Sequence, residues 1–231
     1  MTNWHLKIMR MLAQPAVDGV VNVKWITPNR ISYFRLLLNI PQFFCFAFGG
    51  MYYVIGAILH EIIYFFDCMD GQLARTRGIP SQYGHWIEVL GDRLYQGIGG
   101  IFGFFVAYGV WRETQSSLPW ILLAVVLFGK YADRAIVAMK LEDKSPDQIM
   151  TKMQEENVQY KKSKLFGLVM LFDSWHFEVV ILCALFYFPL KHILPIHPIT
   201  FALIISAVMS QAHWMGRFIM SLRFFIKNKM I

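Results

Sequence analysis

Four carboxylates recur at fixed spacing between residues 67 and 92: Asp67, Asp70, Glu88 and Asp92, with Gly71, Ala74, Arg75 and Gly84 among them. Residues three, four and seven apart share a helix face, so Asp67, Asp70, Gly71 and Ala74 form one stripe and Gly84, Glu88 and Asp92 another. The stretch from Thr76 to Tyr83 contains Gly78 and Pro80, a turn signal that lets the two stripes face each other. Facing carboxylates repel unless they are protonated or paired with cations, and oxygen-rich sets suit hard divalent ions such as Mg²⁺ or Mn²⁺. Four such groups supply ligands for two ions, the arrangement that clamps the attacking and leaving oxygens of a phosphoryl displacement. Arg75 adds a planar fork suited to phosphate, and the small side chains of Gly71, Ala74 and Gly84 let backbone or ligand approach closely. The bland alternative is a polar helix pair closed by salt bridges from Arg75, Arg77 or Arg93.

The elements that would carry this chemistry are membrane helices. The chain has 231 residues, of which 56% are hydrophobic and 16% aromatic, too apolar for an ordinary soluble domain. A spanning helix needs about 20 mostly apolar residues, and six stretches qualify, near 31–48, 51–74, 84–110, 117–139, 165–190 and 198–224. Carboxylates in such a setting are costly and mark function by default. The net charge of +7 suits an anionic membrane surface, and with these apolar runs no nucleic-acid partner is implied. Basic residues flank alternate connections: Lys7, Arg10, Lys24 and Arg30 before the first span, Arg75 and Arg77 after the second, a lysine-rich stretch after the fourth, and Arg223, Lys227 and Lys229 at the end. Only Arg112 and Lys191 lie on the other side. The positive-inside rule therefore puts both termini and the acidic cluster in the cytoplasm.

Within this all-α integral membrane protein, Trp4, Ile8, Met11 and Leu12 recur at helical spacing and predict a helix lying in the interface before the first span. Residues 1–231 read as one transmembrane domain, with 1–30 a cytoplasmic or interfacial segment and about 141–164 a polar loop or surface helix. The first hairpin is expected to turn at Gly49-Gly50. Cys45, Cys68 and Cys183 give no disulfide framework.

At the acidic stretch the chain resembles the CDP-alcohol phosphatidyltransferase family, whose pattern is D-x2-D-G-x2-A-R-x8-G-x3-D-x3-D. Asp67, Asp70, Gly71, Ala74, Arg75, Gly84 and Asp92 match in identity and spacing, and Glu88 replaces the third aspartate. The six spans and Thr27-Pro28-Asn29 are similar to the family as well. The resemblance implies a phospholipid-biosynthetic phosphotransferase that takes a CDP-linked lipid, of CDP-diacylglycerol type, and a polar alcohol, and releases CMP. It implies Asp67, Asp70 and Glu88 as metal ligands. Asp92 would be the base, and a further metal contact. Asn29, Gly71, Ala74 and Arg75 would lie around the cytidine diphosphate, with two Mg²⁺ or Mn²⁺ ions and a homodimer in the bilayer. Two other readings are a CDP-linked headgroup transferred to a lipid alcohol and, outside enzymes, a divalent-cation transporter.

Other polar residues interrupt the spans. Lys130 and Arg134 share a face and either hold a phosphate of the acceptor or snorkel to headgroups, with Asp133 neutralising them. His213 and Arg217, four apart, either face a ligand or bond between helices. Arg35 lies near the expected nucleotide site, with a headgroup anchor as its other reading. His60 and Glu61 sit deeper and are read as structural. Asp173, His176 and Glu178 receive no role.

Overall fold

A computed structural model describes residues 4–78, 100–141 and 178–229, without the side chains of 4, 137–141, 220 and 223–229. Every regular element among the described residues is a helix: α1 (Trp4–Val20), α2 (Pro28–Phe48), α3 (Met51–Thr76), α4 (Ile101–Thr114), α5 (Leu118–Leu141), α6 (Tyr187–Ile193) and α7 (Pro198–Lys229). Residues 178–185 are helical too.

Local chemistry sets the boundaries. Thr27, in extended backbone (φ −108°, ψ 153°), caps α2 by accepting the Arg30 N–H at 3.3 Å, and Pro28 follows where a missing N–H costs nothing. Gly49 and Gly50 take positive φ (70° and 56°), which turns the chain from α2 into α3 where the sequence predicted.

Two expected spans are broken. The run 84–110 was expected as one helix, but α4 begins only at Ile101, with Gly100 as its extended N-cap (φ −116°, ψ −164°). Each glycine costs about 1 kcal/mol in a helix interior, and Gly97, Gly99 and Gly100 cluster there. The run 165–190 turns at Phe186 before α6. Pro189 explains this: it cannot follow Leu185 at i−4 within one helix, but it fits in the first turn of a new one.

The α2 and α3 helices form the central antiparallel pair. On one side of it lies α1, against α3; on the other α4 packs on α2, then α5 on α4, and α7 on α5. Close approach is bought with small residues. A Cβ on Gly109 of α4 would meet the Phe46 carbonyl oxygen of α2 at 1.9 Å, and one on Gly129 of α5 would meet Ser210 Oγ of α7 at 2.3 Å. Side chains then bond across: Ser210 Oγ donates to the Val126 carbonyl (3.1 Å) and Gln211 Nε2 to that of Val125 (2.6 Å).

Among the described residues, three helical stretches are long and apolar enough to cross a membrane: Pro28–Phe48, Met51–Thr76 and Pro198–Ile219. Outward residues such as Leu37, Phe44, Phe104, Phe128 and Val208 are about half exposed or more, as a lipid-facing surface requires. The α1 helix has two apolar faces. Ala13 and Val17 are fully buried against α3, while Met11 and Leu12 of the predicted interfacial stripe point outward at 74% and 58% exposure.

At one end of the bundle, Glu113 closes a clasp. Its carboxylate accepts from the Gly50 backbone N–H, from the Tyr187 hydroxyl at 2.8 Å and from His197 Nε2 at 2.9 Å. The α2–α3 turn, the end of α4, α6 and the start of α7 therefore meet there. We call this the turn end; α3 runs away from it towards Asp67 and Asp70.

Candidate active site

The last three turns of α3 carry Asp67, Asp70, Gly71, Ala74 and Arg75 in one helix without interruption. Their spacing alone puts the two carboxylates on one face, and α2 supplies a partner to each. Arg35, 1% exposed, forms an ion pair with Asp67. Ser32 Oγ lies 2.6 Å from Asp70 Oδ2, to which it donates, and 3.1 Å from the Pro28 carbonyl. The headgroup-anchor reading of Arg35 is thereby corrected: the side chain turns into the bundle, because a buried guanidinium needs a carboxylate and Asp67 offers one.

Arg75 folds back along its own helix. A Cβ built on Gly71 would stand 3.4 Å from Arg75 Nη1 and 3.7 Å from Nη2, so the guanidinium lies over the bare backbone one turn earlier. Two carboxylates and then a guanidinium thus follow one another along one stripe, with glycine leaving the room.

Arg77, weighed in the sequence as a partner for the acids, does something else. Its Nε donates to the Val21 carbonyl (3.0 Å), Nη1 to that of Ile26 (2.6 Å), and Nη2 to those of Val20 (2.9 Å) and Val23 (3.0 Å). Nearby, Arg30 Nη1 donates to the Trp25 carbonyl at 2.6 Å.

A second polar group joins α5 to α7. Asp133 Oδ1 lies 2.6 Å from Arg217 Nε and 3.5 Å from His213 Nε2, and Arg217 Nη2 is 3.2 Å from that same His213 nitrogen. A guanidinium only donates and a carboxylate only accepts, so His213 Nε2 stands between a donor and an acceptor. Asp133, which one of the two readings had neutralising Lys130 and Arg134, also pairs across to α7. Lys130 is half-buried and Arg134 exposed.

By helix rise alone, both polar groups fall at a similar distance from the turn end. At about 1.5 Å per residue from the turn end, Asp67 and Asp70 sit about 24 and 29 Å along α3, and Ser32 and Arg35 about 24 and 20 Å along α2. By the same rise, Asp133 is about 23 Å along α5, and His213 and Arg217 about 23 and 29 Å along α7.

Deeper on α3, Glu61 pairs with His5 of α1 (3.0 Å), whose ring lies 4.9 Å from Tyr64, and His60 is buried.

Among the described residues no group of three or more His, Cys, Asp or Glu gathers as a metal site. Asp67 and Asp70 are two of the four expected ligands; Gly84, Glu88 and Asp92 lie outside the described residues, as do Arg93, Asp173, His176 and the polar segment 142–164. The two described donors fit a hard cation: both are carboxylates, one turn apart, and Asp70 keeps oxygen lone pairs beyond the one Ser32 uses.

Ser32 was missed in the sequence, although Asn29, Ser32 and Arg35 at successive threes were a legible polar face in an apolar helix. Glu113 was missed too; its signal was an acid just past an apolar run.

The family model for CDP-alcohol phosphatidyltransferase matches residues 25–227. No curated protein matches the chain.

Proposed function

The chain belongs to the CDP-alcohol phosphatidyltransferase family, which makes it a transferase of substituted phosphate groups in phospholipid synthesis, and from that premise we propose that it joins a CDP-linked lipid of the CDP-diacylglycerol type to a polar alcohol. Membership sets aside the cation-transporter reading. The acceptor hydroxyl oxygen attacks the lipid-side phosphorus, the bond from that phosphorus to the bridging oxygen breaks, and CMP leaves with the electron pair. Asp92 takes the acceptor proton. Asp67, Asp70 and Glu88, with Asp92, hold two Mg²⁺ or Mn²⁺ ions, which supply positive charge to the diphosphate when bound. Asn29, Gly71, Ala74 and Arg75 surround the cytidine diphosphate, with Arg75 offering its fork to phosphate.

The observation that carries this reading is the α3 stripe: two carboxylates fixed by Ser32 and Arg35, then a guanidinium lying over Gly71. The similar height of Asp133, His213 and Arg217 supports an acceptor side between α3 and α7, with Arg217, Lys130 and Arg134 as its cations, His213 beside them and a phosphorylated alcohol as its ligand. Charge asymmetry supports a cytoplasmic site in a multi-pass protein with both ends inside, and family habit supports a homodimer.

The test is CMP release by purified protein from CDP-diacylglycerol, with phosphorylated and unphosphorylated alcohols and Mg²⁺ or Mn²⁺. Glu88→Asp retains release and Glu88→Ala loses it by about a hundredfold or more, the scale of a removed electrostatic stabiliser. Full release from Glu88→Ala removes Glu88 from the ligand set.

A further inference from the structure

Arg77 sits two residues beyond Arg75, at a position the motif leaves unspecified, and is the C-cap of α3. A guanidinium has five N–H donors in a rigid fork, and four hydrogen bonds leave this one for the main chain between Val20 and Ile26. These carbonyls are not a random set. Val20 ends α1, a helix with no basic residue in its last turn, so its carbonyl end lacks the positive charge that stabilises a helix C-terminus; Arg77 brings that charge from α3. Ile26 immediately precedes Thr27, the cap of α2.

Two fixed points follow. Ile26 is tied to Arg77, and six residues on, Ser32 is tied to Asp70, seven residues back along α3. The connections run antiparallel and bracket Thr27-Pro28-Asn29 against the stretch of α3 between them, which holds Gly71, Ala74 and Arg75. From this geometry we propose that Arg77 is a positioning residue for the nucleotide side of the active site. It holds the capped start of α2, and with it Asn29, across from Gly71–Arg75, and so sets the gap into which the cytidine diphosphate enters. It touches no substrate. The inference rests on the assignment of Asn29, Gly71 and Arg75 to the nucleotide.

Lysine keeps the charge but is a point donor on a flexible stem, with three N–H groups and no fork. Arg77→Lys therefore loosens the bracket while leaving a cation at the α1 terminus. In the full-length protein, measured by CMP release, Arg77→Lys raises the KM for the CDP-linked lipid roughly tenfold, as loss of pre-positioning does. The KM for the acceptor and the thermal midpoint stay near wild type. Arg77→Ala raises the donor KM at least as far, and its thermal midpoint falls. A merely structural residue gives another pattern: activity falls in proportion to folded protein, both KM values hold, and lysine rescues. That pattern, or an Arg77→Lys protein whose donor KM equals wild type, overturns the inference while the proposed reaction stands. A wild-type protein that releases no CMP overturns the reaction and the inference together.

Discussion

Asp70 would be a poor ligand if its carboxylate were free to turn. An exposed aspartate samples several rotamers, and each must be lost when a cation binds. Ser32 removes that freedom through a 2.6 Å hydrogen bond from α2. A bond to a charged group contributes about 1.5–3 kcal/mol, enough to shift apparent metal affinity by roughly one to two orders of magnitude. Ser32→Ala is therefore expected to raise the Mg²⁺ or Mn²⁺ concentration for half-maximal CMP release by about tenfold or more, with little change in thermal midpoint. A metal titration identical to wild type would show that Asp70 is oriented without Ser32. At this scale the sequence was half legible. The α3 stripe follows from spacing within one helix, because i, i+3, i+4 and i+7 meet whatever surrounds them. The partners on α2 do not, since which of its faces meets α3 is set by packing between helices. In a helix apolar on most sides, no hydrophobic face points the way. Arg77 is harder still: its targets are backbone carbonyls, which leave no mark in a sequence.

The elements were legible where turn chemistry spoke, as at Thr27-Pro28 and Gly49-Gly50, and misread where apolar runs were joined across a breaker. Gly100 caps the start of α4 and Pro189 opens α6 after the turn at Phe186, each inside a run that hydropathy alone would read as one helix. The connections at the turn end depend on Glu113, whose carboxylate lies beyond the apolar run closing near residue 110. Partial burial pushes this carboxyl up, but the hydrogen bonds from His197, Tyr187 and the Gly50 N–H outweigh it and hold the group below its ordinary value of 4.5. A depressed folded pKa means that the stabilising contribution is fully present above the unfolded pKa and is lost as pH falls through the folded one. The clasp is thus expected to hold from neutral pH down to about pH 4.5 and to weaken below it. Thermal melts of purified protein from pH 7 to pH 3 should show wild type losing stability below that point. Glu113→Gln, which has no carboxyl to protonate there, should start lower and show a smaller acid-dependent fall. Parallel curves would assign the acid loss to other groups.

The whole molecule is polarised along its long axis. At the turn end, Arg112 lies 5.9 Å from the Phe48 ring and Lys191 5.7 Å from that of Tyr187, so the two basic residues there rest on aromatic faces. At the other end Lys24, Arg30, Arg75 and Arg77 accompany the carboxylates, and α1 lies against α3 with Met11 and Leu12 outward. Charge retained on one side during insertion fixes orientation, and a CDP-linked substrate made in the cytoplasm would meet the acidic stripe only if that end faced inward. Lys24 and Ser117 lie at opposite ends and are both exposed, which makes them reporters of topology. Of the native thiols, Cys68 and Cys183 are buried and Cys45 is partly so, which keeps background labelling low. In intact cells a membrane-impermeant thiol reagent should label Ser117→Cys and spare Lys24→Cys; after the membrane is opened it should label both. The reverse pattern would place the acidic stripe outside and remove the cytoplasmic assignment. Labelling of both in intact cells would mean that the chain inserts in two orientations, and the charge asymmetry would then be too weak to set topology.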